Sequence, residues 1–106
     1  MNIAVSAAGD SLDDQVDGRF GRCPFFVFVE SESMAYKAVP NPGAGAMGGA
    51  ATKAAQVLAE SNVDIVLTGS VGPNAERSLN ALGVEVVTDA SGTTVREAVS
   101  NFLDKK

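Results

Sequence analysis

A chain of 106 residues, 45 % hydrophobic and 20 % charged, suits one domain (residues 1–106) around one core and argues against disorder. Its formal charge of −5, from 8 basic and 13 acidic side chains, excludes a nucleic-acid surface, because phosphate binding needs clustered Lys and Arg. With no histidine, the commonest metal ligand and the commonest general base are missing, and Cys23, standing alone, excludes an intrachain disulfide.

Met1-Asn2-Ile3-Ala4-Val5 has no positive flank and no long apolar core, so no signal peptide is expected. No apolar run approaches the ~20 residues that cross a bilayer. Together with the lone cysteine, this predicts a cytoplasmic protein without a membrane partner.

Residues 2–6 read as a short buried strand, with Ile3 and Val5 on one face. Residues 7–22 are polar, carry Gly9, Gly18 and Gly21, and show no helical period. They predict a long loop, and loops of that length are often functional. Phe25-Phe26-Val27-Phe28-Val29 is a β run of aromatic and β-branched residues. Ser31-Glu32-Ser33 makes a turn, and residues 35–39 form an antiparallel partner ended by Pro40-Asn41-Pro42.

Residues 43–49 are rich in glycine and alanine. Residues 50–61 then show helical spacing at Ala51, Ala54, Ala55 and Leu58. Residues 64–68 form a continuous apolar strand, as in the middle of a parallel sheet. Pro73 opens a second helix with Ala75, Leu79 and Leu82 on one face and Gly83 as its stop. A strand at 84–87 follows. Thr94 and Glu97 then form a capping box before the stripe Val95, Ala98, Val99 and Phe102.

The order β, β-hairpin, α-β-α-β-α predicts an α/β fold: a five-stranded mixed sheet in order 3-2-1-4-5, with strand 2 antiparallel. Three helices cover both faces, giving a three-layer α/β/α arrangement.

Several chemical motifs fail. Gly43, Gly45 and Gly48 match the G-x-G-x-x-G spacing, but Thr68 stands where a dinucleotide loop needs its acidic residue. Asp13, Asp17 and Gly18 open like a calcium loop, yet Pro24 replaces the bidentate glutamate. Ser70 has no base to activate it, and no phosphate-binding G-x-x-x-x-G-K-[ST] run is present. No catalytic constellation is present, so an enzyme is not expected.

Two stretches remain. In Arg19-Phe20-Gly21-Arg22-Cys23 two guanidinium groups and a thiol stand within five positions. Arginine pairs with compact anions, and a thiolate is a soft metal ligand whose pKa the arginines would lower. The alternative is that the arginines pair with nearby aspartates and Cys23 is a small buried hydrophobe. The second stretch, Thr68-Gly69-Ser70-Val71-Gly72-Pro73-Asn74-Ala75, leaves a parallel strand and enters a helix. Such N-termini attract anions, although a tight turn would also need its glycines.

Val16-Asp17-Gly18-Arg19-Phe20-Gly21-Arg22-Cys23-Pro24-Phe25-Phe26, Gly69-Ser70-Val71-Gly72-Pro73-Asn74-Ala75 and Gly92-Thr93-Thr94-Val95-Arg96-Glu97-Ala98 resemble the dinitrogenase iron–molybdenum cofactor biosynthesis family. The likeness runs in order from about residue 2 to residue 102. It implies a ribonuclease H-like fold and a non-catalytic carrier of a preformed anionic cluster. The cluster would be the iron–molybdenum cofactor, its iron–sulfur precursor or a related molybdenum cluster, handed to cofactor-assembly partners. The first strand lacks the carboxylates that a nuclease would need.

On this reading the cofactor-binding residues are Arg19, Arg22, Cys23, Gly45, Gly48, Gly69, Ser70, Gly72 and Asn74, with Cys23 as the metal ligand. One cysteine cannot hold an ordinary iron–sulfur cluster, which needs four ligands. Either Cys23 and charge suffice, or two chains share one cluster, or the chain binds a different ligand; a monomer or weak homodimer is expected. Two rivals stand beside the carrier: a small-anion or nucleotide-binding regulatory module, and a ligand-free homodimer using the edge strand at 35–39.

Overall fold

The computed structural model describes residues 1–45 and 48–105, and of Ala51 the backbone alone. Strands β1 (Asn2–Ala7), β2 (Phe25–Glu30), β3 (Tyr36–Pro40), β4 (Ile65–Leu67) and β5 (Glu85–Val87) form one sheet in the order β3-β2-β1-β4-β5. β2 is antiparallel to β1 and β3, while β1, β4 and β5 run parallel. This is the expected mixed sheet.

Helices α1 (Ala50–Glu60) and α2 (Pro73–Ala81) pack side by side on one face of the sheet. Helix α3 (Val95–Asp104) covers the other face. The alternation within β1 decides this division. Ala4 points toward α1 and α2, among Phe26, Ala54, Leu58, Val66 and Leu79. Ile3 and Val5 point toward α3, among Val27, Ile65, Leu67, Val95 and Val99.

The local signals behave as physics directs. Thr94 Oγ1 accepts from the Glu97 amide at 3.1 Å and Glu97 Oε1 accepts from the Thr94 amide at 3.1 Å, completing the capping box. Gly83 stops α2 at φ 74°, a conformation that favours glycine. Leu82 departs from expectation. It lies beyond the last turn of α2 and is 46 % exposed, so the buried face of that helix is Ala75 and Leu79 alone. The expected contribution of Ala51 to the α1 stripe lies outside the described residues, as do Ala46 and Met47 of the glycine-rich segment and Lys106 of the basic tail.

Because β1, β3, β4 and β5 all point the same way, their carboxyl ends share one rim with the start of β2. Residues 7–24, the segment between β3 and α1, and the turns that begin α2 and α3 all gather there.

Candidate functional site

Residues 8–22 form no helix or strand of their own, yet backbone bonds fasten them across the rim. The first half of this segment is tied to α3. Asp14 and Leu12 carbonyls accept from the Val95 and Arg96 amides at 2.9 and 2.8 Å, and the Val16 amide donates to the Thr93 carbonyl at 2.9 Å. The first amides of α3 are thereby satisfied.

The second half of the segment runs alongside the β4–α2 turn. Ser70 donates to the Gly18 carbonyl twice, from its amide at 2.8 Å and from Oγ at 3.0 Å, while the Phe20 amide donates to the Ser70 carbonyl at 3.4 Å. Beneath this junction Ser6 Oγ donates to the Asp17 carbonyl at 2.7 Å and lies 2.8 Å from Thr68 Oγ1. Ser6 and Thr68 are both fully buried, so this hydroxyl pair links β1, β4 and the loop in the dry interior.

Gly69 is needed for packing. A Cβ built there would lie 2.6 Å from Gly18 Cα and 2.9 Å from its carbonyl oxygen. Gly69→Ala is therefore expected to destabilise the protein by about 1–3 kcal/mol through overpacking and to loosen residues 18–20. Gly45→Ala, where a methyl meets nothing within 4 Å, should stay within about 0.5 kcal/mol. Urea unfolding of both variants checks this; equal losses would remove the packing explanation.

Arg19 and Arg22 stand on the rim, and both are exposed. Arg19 Nε and Nη2 donate to Asp17 Oδ1 and Oδ2 at 3.1 and 3.0 Å. The Arg19 guanidinium holds the Asp17 carboxyl below the usual carboxylate range, against a burial effect that pulls the other way. Arg22 Nη1 reaches the Gly43 carbonyl at 3.4 Å. The arginine segment thus touches the α2 turn through Arg19 and the segment leading to α1 through Arg22.

Cys23 does not join them. It is fully buried among Phe20, Phe26, Ala54 and Leu58. Its Sγ donates to the Phe20 carbonyl at 3.3 Å and accepts from Asn41 Nδ2 at 3.7 Å. Burial pushes the thiol up to about 12, helped by the negative Asp17. This overturns the expectation that the arginines lower its pKa: their guanidinium groups face solvent while the thiol faces the core. Cys23 is a neutral thiol here and presents no sulfur to the rim.

The glycines and Asn74 line the open side. Gly45, Gly48 and Gly72 are exposed, and a Cβ at each would meet nothing within 4 Å. The N-caps of α1 and α2 are Gly49 and Gly72, so neither helix start carries a side-chain cap, unlike α3. Asn74 lies in the first turn of α2, where its Oδ1 accepts from Arg77. The bare starts of α1 and α2 carry the positive end of each helix dipole toward the rim. A hollow of about 130 Å³ opens on the α3 side, lined by Leu67, Val87 and Phe102 among others, and none of the site residues expected from the sequence lines it. Among the described residues, no three Cys, Asp or Glu side chains gather to hold a metal ion. Among the described residues, no helix is long and apolar enough to cross a membrane.

Asn41 is the residue that sequence reading undervalued. Only 5 % exposed, it donates from Nδ2 to the Gly21 and Cys23 carbonyls at 3.1 and 2.9 Å and accepts from the Gly43 amide at 2.9 Å. It pins the arginine segment to the start of the glycine-rich segment. An asparagine between two prolines signals a turn and carries no hint of partners 18 and 20 positions away.

A family model described as dinitrogenase iron–molybdenum cofactor matches residues 1–105. The structure superposes on the apo form of the orange protein from Desulfovibrio gigas with a TM-score of 0.94 and 48 % identity, covering 98 % of this chain and 88 % of that one. A Thermotoga protein described as NifB-like, of the DUF35 family, gives a TM-score of 0.84 at 33 % identity, over 97 % and 87 % of the two chains. An uncharacterised protein of Methanocaldococcus jannaschii is 29 % identical over 109 aligned residues, covering all of this chain and 88 % of that protein.

Proposed function

The chain belongs to the dinitrogenase iron–molybdenum cofactor family, and from that footing we propose that it binds a preformed anionic metal cluster as cargo and passes it on during cofactor assembly. The cargo is the iron–molybdenum cofactor, its iron–sulfur precursor or a related molybdenum cluster. The chain works as one domain over residues 1–106 in the cytoplasm, as a carrier without a reaction of its own, and its partners are cofactor-assembly proteins.

One observation carries this reading: the two helix starts that lack side-chain caps open at the same rim as Arg19 and Arg22. Guanidinium groups supply charge, and the amides near Gly48, Gly72 and Asn74 supply preoriented dipoles for a compact anion. Gly69 and Ser70 hold the arginine segment in place, and Gly45 leaves the approach clear. Cys23 contributes packing beneath the arginine segment. Such a set binds through charge and amide donors with few covalent bonds, which suits a cargo that must leave.

Anaerobic isolation followed by elemental analysis and absorption spectroscopy tests the proposal. The expected result is coloured protein containing molybdenum or iron. Arg19→Ala and Arg22→Ala should each weaken retention about tenfold, the scale of one charge-assisted hydrogen bond. Metal-free protein that also ignores a supplied cluster, or undiminished retention in both variants, would end the carrier reading.

A further inference from the structure

Arg19 is held on the rim in a two-point fork. Its partner is unusual for a surface pair. The Asp17 side chain is only 11 % exposed, whereas that of Arg19 is 67 % exposed. The Asp17 backbone is tied to Ser6 on both sides, and its carboxylate also takes the Arg19 amide. The Asp17 amide donates to the Ser6 carbonyl at 2.8 Å, its own carbonyl accepts from Ser6 Oγ at 2.7 Å, and Oδ1 accepts from the Arg19 amide at 2.9 Å. The anchor is therefore the acid, and the arginine is the part that would otherwise swing freely.

The fork uses the Nε–Nη2 side of the guanidinium. The end edge, with one hydrogen each from Nη1 and Nη2, makes no hydrogen bond among the described residues, on a side chain that is 67 % exposed. A planar guanidinium offers two such edges at fixed angles, so pinning one aims the other. Resting on the cargo reading above, we infer that Asp17 is a positioning residue for the anionic cargo: it grips Arg19 side-on so that the outer edge meets the anion already oriented.

Net charge alone says that removing a carboxylate from beside an anion site tightens binding. Positioning says that it loosens binding, because Arg19 regains the rotamer freedom it must lose again on contact.

Equilibrium dialysis of the metal-free full chain against molybdate, with molybdenum measured by elemental analysis, separates the two. Asp17→Asn keeps an oxygen for the Arg19 amide but breaks the fork, and should bind about fivefold more weakly. Arg19→Lys keeps the charge without the fork and should weaken similarly. In an Arg19→Ala background, Asp17→Asn should cause no further weakening. Binding by Asp17→Asn equal to or tighter than the parent overturns the inference alone, as does parent-like binding by Arg19→Lys, which serves if Asp17→Asn fails to fold. No molybdate uptake by the parent overturns the anion site and this inference together.

Discussion

Phe20→Ala is expected to cost about 3–5 kcal/mol of folding stability, the range for emptying a buried aromatic site. Phe20 sits in an irregular segment between two exposed arginines, yet it is 1 % exposed. It packs with Phe26 at a ring-centroid distance of 5.3 Å and a tilt of 52°, in the cluster that includes Cys23, Leu58, Ala75 and Leu79. That loss would be a large share of the roughly 5–15 kcal/mol typical of a domain. At about 4–8 °C per kcal/mol, Tm should fall by tens of degrees. The effect should also reach the site, since Phe20 is the apolar peg that fastens Arg19 and Arg22 to the α1–α2 face. Phe20→Leu should recover most of the stability. Guanidinium unfolding decides it: a loss below about 1 kcal/mol for Phe20→Ala would mean that the segment is held by its backbone bonds alone.

Cys23 should be inert to thiol reagents in the folded protein, about a thousandfold slower at pH 8 than an unhindered cysteine. The thiolate is the reacting species, and a thiol raised to about 12 leaves only about one part in ten thousand ionised at that pH. Addition of denaturant should restore ordinary reactivity. The same shift has a consequence for stability. The folded pKa lies above the unfolded value of about 8.5, so the stabilisation is fully present below that pH. It is lost as pH rises toward about 12, because the unfolded chain ionises first. Denaturation curves should weaken by about 1.4 kcal/mol per pH unit in that window, and Cys23→Ala should lack this slope. Labelling of the native protein as fast as a model thiol would mean that the sulfur is reachable and ionisable in the folded chain.

Much of the architecture was legible from local signals. The aromatic β run at Phe25–Val29, the Thr94–Glu97 capping box and the Gly83 stop each act within a few residues, so pattern and propensity suffice to find them. The hairpin followed by βαβ units then leaves few ways to order the strands. Leu82 misled because helical spacing continues on paper past the turn where α2 ends. The site was legible in part. Glycines, arginines and helix starts could be named, but their company could not. Gly69 looked like an anion-loop glycine and proves to be required by Gly18, 51 positions earlier in sequence.

By itself, the sequence determined composition, charge, element order and the identity of the groups that could meet an anion, since these depend on side-chain chemistry and short-range periodicity. Only the tertiary structure decided which way each group faces. Cys23 and Arg22 are adjacent in the chain, yet one turns into a dry aromatic cluster and the other toward solvent. That choice comes from long-range packing of Phe20, Phe26 and Leu58 and from the Asn41 bonds, and burial then sets the thiol's charge.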